Sequence, residues 1–171
     1  MGFPEPAEAA PYYFIYIDRV DRSQSDIVGL LESQLNDTLE LLSGISEEKS
    51  LHRYAPEKWS FREVLSHVND CERLFTFRAL WFARGFDSAL PSFDEKIAAA
   101  SAQADQVPWA CHVEEFRAVR LATLALFRNL PAEAWTRSGT ASGFSFTVNA
   151  LAYITAGHAA HHVAILRERY L

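Results

Sequence analysis

The sequence predicts an all-α protein folded as a four-helix bundle, and three observations lead to this prediction. Apolar residues recur at three- and four-residue spacing in four long segments, which is the period of a helix with one buried face. No segment shows an alternating strand pattern of useful length. The chain has 171 residues, of which 49% are hydrophobic, so it can bury a sizeable core as one domain. Four long helices with medium connections are typical of a bundle.

The first two helices are predicted over residues 25 to 43 and 60 to 85. Gly44 follows the first periodic segment and is a natural stop. Ser60 and Glu63 form the pattern of a capping box, in which the two residues satisfy each other's backbone N–H groups, and Gly85 ends the segment. Apolar residues occur on more than one face of the second helix, so we expect it to be central.

A long connection separates the second helix from the third and contains a weak helical piece at about residues 95 to 104. The third helix is predicted to start near Pro108, a favoured first-turn residue, and to end before Pro131. A short turn at residues 132 to 135 leads to a loop marked by Gly139 and Gly143. The fourth helix is predicted over residues 147 to 169.

Residues 1–22 differ from the rest, because three prolines precede an aromatic run at residues 12 to 16. So many aromatic side chains are poorly suited to water. We therefore expect an aromatic N-terminal arm that packs on the bundle or on a partner subunit, and we assign the bundle domain to residues 23–171.

The composition disfavours several classes of protein. The net charge is -6, which argues against a nucleic-acid partner, since such proteins usually carry a basic patch. No apolar run is long enough for a transmembrane helix, and residues 1 to 10 lack the features of a signal peptide. We expect a cytoplasmic protein with no membrane partner, in which Cys71 and Cys111 are reduced and mostly buried.

Three of the six histidines lie within five residues of the fourth helix, at His158, His161 and His162. His158 and His162 are four residues apart, so on a helix they share one face, and that face should point into the bundle. Buried imidazoles need polar partners. Two explanations fit: ordinary hydrogen-bonded core histidines, or ligands that point at one divalent ion.

His67, on the second helix, completes a possible set with His158 and His162. Three histidines and a water molecule make the open, catalytic type of zinc site. His161 is ambiguous, because three-residue spacing can also chelate a metal; otherwise it would support a ligand or line the pocket. Cys71 lies one turn after His67 and is a less favoured additional ligand.

No general base stands out in the sequence. Asp70 is a weak candidate, and it could instead orient the His67 ring; His161 is the other weak candidate for a catalytic role. A di-iron site would need Glu-x-x-His on two helices, whereas Glu63 lies four residues before His67. No spacing supports a serine or cysteine triad.

Glu72, Arg73 and Arg78 interrupt the apolar pattern of the second helix. Charges at such positions need partners. We favour ion pairs with another helix, and contact with a substrate is the alternative.

Together, these motifs resemble the DinB-like superfamily, the damage-inducible DinB and YfiT-like group of four-helix bundles. The resemblance covers nearly the whole chain, and the segments that carry it are residues 54–60, 72–73, 78–80, 83–85, 90–94, 119–120, 156–162 and 167–170, with Glu63 and His67.

The resemblance implies a bundle of the DinB/YfiT type that binds a divalent metal, typically zinc or nickel, through His67, His158 and His162. Many members of the group are dimers, which implies a homodimer here. Some are transferases or isomerases that use a low-molecular-weight thiol, and others are described as metal-dependent hydrolases.

Two hypotheses of function follow. The first is a metal-dependent hydrolase or thiol-dependent S-transferase that acts on a small-molecule substrate. The alternative is a non-catalytic metal- or small-molecule-binding stress-response protein in which the metal is structural. An open coordination position favours the enzyme, and a fourth protein ligand favours the structural site.

Overall fold

Six α-helices and one β-hairpin form the fold in the computed structural model, which describes residues 2–171. The helices are α1 (Phe14–Ile17), α2 (Ile27–Ser43), α3 (Phe61–Ala83), α4 (Glu95–Ala102), α5 (Trp109–Arg128) and α6 (Val148–Ile165). A π-helical turn, Leu166–Tyr170, continues α6, and short 3₁₀ turns join the longer elements.

The four long helices α2, α3, α5 and α6 form the predicted bundle. Helix α3 packs against α5 and α6, and α2 packs against the same two helices from the other side. The predicted central position of α3 is confirmed, since it also contacts α4 and the hairpin. The helix that carries His67 is therefore a direct neighbour of the helix that carries the other three candidate histidines.

The helix boundaries agree with the predicted ones to within about two to four residues. The Ser60 capping box is present, with the Ser60 side chain accepting from the Glu63 N–H. Helix α2 begins two residues late, because the Asp26 carboxylate caps it by accepting from Gly29 N–H at 2.8 Å. Helix α5 begins at Trp109, so Pro108 precedes the first turn.

The expectation of a strictly all-α chain is corrected by a hairpin. Strands β1 (Ser138–Ala141) and β2 (Phe144–Thr147) pair antiparallel where the sequence predicts only a loop. Ser142 and Gly143 both have positive φ, 53° and 80°, which is the conformation of a tight two-residue hairpin turn. Four residues per strand are too few to give a recognisable alternating pattern.

A polar network joins the four long helices. Arg120 of α5 binds Glu72 of α3 through two hydrogen bonds of 2.7 and 2.8 Å, which confirms the ion pair predicted for Glu72. The same guanidinium donates to the Leu31 carbonyl and to the Gln34 side chain of α2. Gln34 in turn donates to the Ala156 carbonyl of α6 at 3.0 Å.

The segment before α2 lies against α6. Ile17 has no exposed surface, and the carbonyl of Tyr16 touches the α6 backbone at Gly157. A Cβ atom at Gly157 would lie only 2.0 Å from that carbonyl oxygen, so this close approach requires glycine. The arm thus brings Tyr16 to the stretch of α6 that holds the histidine cluster.

Two further findings concern the cysteines and the membrane. Cys71 is buried as expected, but Cys111 is exposed, because it lies on the outer face of α5. Within residues 2–171, no helix is both long enough and apolar enough to span a bilayer.

Candidate metal centre

Three imidazole rings meet between α3 and α6. The ring centroid of His67 is 5.0 Å from that of His158 and 4.8 Å from that of His162, and the latter two centroids are 4.5 Å apart. Their exposed fractions are 5%, 3% and 9%, so all three are buried. The structure brings together the three histidines that the sequence singled out.

The separation of the nitrogen atoms suits a shared ligand. His67 Nε2 lies 3.1 Å from His158 Nε2. Two ligand nitrogens at ordinary zinc distances in tetrahedral geometry are about 3.3 Å apart. A hydrogen bond between the two rings would also have this length, so the distance fits a metal pair without requiring one.

Cys71 is closer to this pair than the sequence suggested. Its Sγ lies 3.6 Å from His67 Nδ1, and donor atoms of His67, Cys71 and His158 all lie within 4.8 Å of one another. His162 is outside this compact set, although its ring packs against both histidines. The site therefore offers a fourth donor, a thiol, next to the three imidazoles.

Aromatic side chains enclose the cluster. The Tyr16 and Phe75 rings meet His158 edge-on, and the Trp59 ring lies 4.9 Å from the His67 ring. Tyr16 and Trp59 belong to motifs that the sequence analysis used only for packing and for the family resemblance. Nothing local in the sequence could link them to histidines on other helices.

This burial controls the protonation of the imidazoles. Loss of water, together with a smaller effect of nearby imidazoles, lowers the pKa of His67 to about 4 and that of His162 to about 3. The pKa of His158 is also well below its ordinary value, mainly through burial. All three rings are neutral near pH 7, which is the protonation state that a metal ion needs.

Burial has the opposite effect on the thiol. Burial, together with a smaller effect of the nearby carboxylates of Glu95 and Asp70, raises the pKa of Cys71 to about 12. The metal-free protein therefore holds Cys71 as a neutral thiol. A bound cation would favour its thiolate.

The two weak catalytic candidates take different positions. His161 is half-buried, its ring packs on Tyr16 and His162, and its Nδ1 has no hydrogen-bond partner among the described residues. Asp70 lies 3.7 Å from Arg73, and within residues 2–171 it makes no hydrogen bond to His67. The structure therefore brings His161 to the edge of the cluster but does not join Asp70 to a ligand.

Two clefts include histidines of the cluster in their lining. One, of about 280 Å³, is lined by His162, Lys58 and Tyr170. The other is a narrower cavity of about 50 Å³ whose lining includes His158 and Cys71. Three larger surface grooves, of about 430, 360 and 470 Å³, include none of the three histidines. Each of the first two clefts is thus bordered by one of the three histidines.

Comparisons with known proteins identify a family and similar structures. The model of a family described as the DinB superfamily matches residues 30–166. No curated protein matches the chain. YfiT from Bacillus subtilis, described as a probable metal-dependent hydrolase with an unusual four-helix bundle topology, is 15% identical with a TM-score of 0.70, over 96% of this chain and 89% of that one.

A mycothiol-dependent maleylpyruvate isomerase is similar as well. It is 13% identical with a TM-score of 0.68, and the match covers 81% of this chain. This chain accounts for only 58% of the length of that isomerase. At these identities the two similarities show a shared bundle fold and do not show a shared reaction. The chemistry has to be argued from the residues of this chain.

Proposed function

The chain belongs to the DinB superfamily, and from that premise we propose that it is a metal-dependent enzyme whose divalent ion is held by His67, His158 and His162. Zinc and nickel are the ions we expect. The observation that carries the proposal is the convergence of three buried, neutral imidazoles from two helices, with ring centroids 4.5 to 5.0 Å apart.

The donor set supports this assignment over an ordinary polar core. Neutral imidazoles are borderline-soft ligands that suit zinc and nickel. A core that needed only hydrogen bonds would gain little from three adjacent rings that each have a lowered pKa. The cost of burying them becomes understandable if a cation binds to them.

A divalent ion at this site would supply Lewis-acid chemistry, either lowering the pKa of a water molecule or favouring a substrate thiolate. The chain itself supplies the surroundings of the three histidines. Tyr16, Trp59 and Phe75 keep bulk water from the rings, and the clefts at His158 and His162 admit a small substrate.

We propose two reaction classes for the site: hydrolysis, and S-transfer with a low-molecular-weight thiol as cosubstrate. The hydrolase proposal is supported by the likeness to YfiT, and the thiol proposal by the likeness to the mycothiol-dependent isomerase. The homodimer and the cytoplasmic location expected from the sequence stay predictions.

Cys71 supports a second candidate function, a metal that only stabilises the bundle. Its Sγ lies 3.8 Å from His67 Nε2, so the thiol could complete a closed four-ligand site with no position for a substrate. The two candidates differ in one property, which is whether Cys71 is a ligand.

Metal titration of single-histidine variants tests the ligand set. We expect one zinc or nickel ion per chain in calorimetric titration of the chelator-treated protein. Replacing His67, His158 or His162 with alanine should abolish stoichiometric binding, whereas His161→Ala should weaken it less. The matched control is His52→Ala, since His52 is exposed and packs only on Tyr170. Equal loss at His158, His161 and His162 would contradict the assignment.

Cobalt substitution separates the enzyme from the structural site. A cobalt–thiolate bond gives a strong charge-transfer band in the near ultraviolet, and we expect no such band here. Cys71→Ser should then bind metal as the unaltered protein does, with Cys111→Ser as the exposed control. A thiolate band that disappears in Cys71→Ser would favour the structural site. The metal-loaded protein is next assayed for thiol-dependent transfer and for ester and amide hydrolysis.

A further inference from the structure

Arg78 is buried without a carboxylate partner. Its side chain is only 1% exposed. Nη2 donates to the Pro91 carbonyl at 3.2 Å and to Ser142 Oγ at 2.9 Å. Nε and Nη1 have no hydrogen-bond partner among the described residues. A guanidinium is always charged, so this arrangement leaves a buried positive charge uncompensated.

Two other buried arginines of the chain have an acidic partner. Arg120 is 0% exposed and forms a two-point ion pair with Glu72. Arg62 is 4% exposed and pairs with Glu47. Arg78 alone of these three has no acidic side chain within ion-pairing distance in residues 2–171. The ion pair expected for Arg78 from its helical position is therefore corrected.

The unpaired guanidinium lines a cavity beside the histidine cluster. The cavity measures about 50 Å³, and its lining includes Arg78, His158 and Cys71. Since roughly 10–15 Å³ of such space is enough for one water molecule, the cavity has room for a group of a few heavy atoms. An anionic group that occupied it would lie between Arg78 and a proposed metal ligand.

Hydroxyl groups add further hydrogen-bonding capacity to this cavity. Tyr13 and the Tyr12–Tyr16 pair, whose hydroxyls are 3.3 Å apart, also line it. Burial raises the pKa of Tyr13, and the nearby charge of Arg78 opposes that rise, so the Tyr13 hydroxyl is neutral and close to the guanidinium. Neutral phenols and an arginine together suit an anion.

Glu95 is the one acidic residue that lines the cavity, and it is exposed in the first turn of α4. Within residues 2–171 it makes no ion pair with Arg78, whose Nε and Nη1 have no partner. A carboxylate at this position would repel an incoming anion and so lower its affinity for the cavity.

We propose that this cavity binds a carboxylate group of the substrate through Arg78, so that the enzyme acts on small organic acids. The inference rests on the proposed function only in treating the bound acid as the substrate of the metal site. Hydrogen bonds between charged groups favour the carboxylate strongly over a neutral amide of the same shape.

Acetate and acetamide are the probes that test the proposal. The titration uses chelator-treated, ¹⁵N-labelled protein at constant ionic strength and follows the arginine Nε–H resonances. We expect acetate to shift one resonance saturably and acetamide to leave it unchanged. That resonance should be missing in Arg78→Lys, and acetate affinity in this variant should fall about tenfold or more. Arg73→Lys, on the exposed side of the same helix, is the matched control.

Glu95→Gln is a second variant, and it leaves Arg78 intact. It keeps the proposal testable if Arg78→Lys does not fold. We expect this variant to bind acetate several-fold more tightly, because a repelling charge is removed. Weaker acetate binding in Glu95→Gln, together with a loss of stability, would identify Glu95 as the partner of Arg78 and overturn the proposal. Equal binding of acetate and acetamide, or no saturable shift in either protein, would overturn it too.

Acetate binding and metal binding are measured separately, so the carboxylate subsite and the metal site can fail independently. His162→Ala should keep acetate binding, since His162 lines the other cleft. Saturable acetate binding in a chain that binds no metal would reject the proposed function alone. Stoichiometric metal binding in a chain that does not bind acetate would reject the carboxylate subsite alone.

Discussion

At the scale of single residues, the site is defined by polar groups held where water is scarce. His67, His158 and His162 are kept neutral by burial, and Cys71 is kept as a thiol. Each of these groups would be more stable in water without a partner. The metal-free protein therefore carries a free-energy cost that a bound cation would reduce.

The lowered pKa values predict that the metal-free protein loses stability as the pH falls. Unfolded histidines take up protons near their ordinary pKa of 6.5, whereas folded His67 resists protonation down to about pH 4. Below 6.5 the unfolded state therefore binds more protons, and the free energy of unfolding falls. His67 alone should contribute a loss of about 3 kcal/mol by pH 4.

Urea unfolding of chelator-treated protein over this pH range measures the effect. The His67→Leu variant should show a shallower pH dependence than the unaltered protein. His52→Ala, with an exposed histidine, should match the unaltered slope. Identical slopes for His67→Leu and the unaltered protein would show that His67 is not held neutral by the fold.

The sequence predicted the three histidines because their chemistry and helical spacing are local properties. It could not predict the fate of Cys111 or Arg78 in the same way. Cys111 is exposed, and Arg78 lies in a cavity whose one acidic lining residue, Glu95, makes no ion pair with it within residues 2–171. Both outcomes depend on partners distant in sequence.

At the scale of secondary-structure elements, the contact between the N-terminal arm and α6 forms one wall of the site. Gly157 lets the Tyr16 carbonyl approach the α6 backbone, and the Tyr16 ring then covers His158. A single missing side chain thus determines how closely an aromatic lid fits over the cluster.

Gly157→Ala should therefore destabilise the protein by about 1–3 kcal/mol through overpacking, although alanine favours helices by about 1 kcal/mol. Urea unfolding measures the loss, and limited proteolysis tests whether the arm is released. Gly44→Ala is the control, since a Cβ there would meet the Leu41 carbonyl at an ordinary 3.6 Å. A variant at Gly157 as stable as the unaltered protein would show that the arm adjusts without cost.

The helices were predictable because helix caps and apolar periodicity depend on residues that are close together in the sequence. Ser60 and Glu63 fixed the start of α3 to within one residue. The hairpin was not predictable, since its strands are short and stabilised by contacts with α3 and α6 rather than by their own pattern. Its turn residue Ser142 nevertheless holds Arg78 in place.

At the scale of the whole molecule, the network of Glu72, Arg120 and Gln34 fixes the arrangement of the bundle. It joins side chains of α2, α3 and α5 to the backbone of α6 at Ala156, two residues before His158. Hydrogen bonds restrict the register of helices more than apolar packing does, because they require specific partners. The network thereby also positions the histidine cluster along the bundle.

Glu72→Gln keeps the shape of the side chain but leaves Arg120 buried without its counter-charge. We expect a loss of about 3–5 kcal/mol in the free energy of unfolding. A second replacement, Arg120→Met, should recover part of that loss in the double variant. The exposed pair of Arg73 and Glu115 is the control, and Glu115→Gln should cost less than about 1 kcal/mol.

Losses that simply add in the double variant would show that Glu72 and Arg120 act independently. The sequence indicated that Glu72 needs a partner, but the identity of that partner depends on which helices are neighbours. An amphipathic pattern indicates which face of a helix is buried, but it does not determine which helices pack against that face.

The wide separation of the site's parts along the chain has a consequence for biosynthesis. His67 precedes its neighbour His158 by 91 residues. At about 5–20 residues per second, the ribosome needs roughly 5–20 s to make the intervening chain. During that time His67 is present without the two histidines of α6, so the proposed site cannot chelate an ion between the two helices. The proposed metal site therefore predicts that metal delivery in the cell follows translation of α6, and that a chelator added to a stalled nascent chain has no site to compete for.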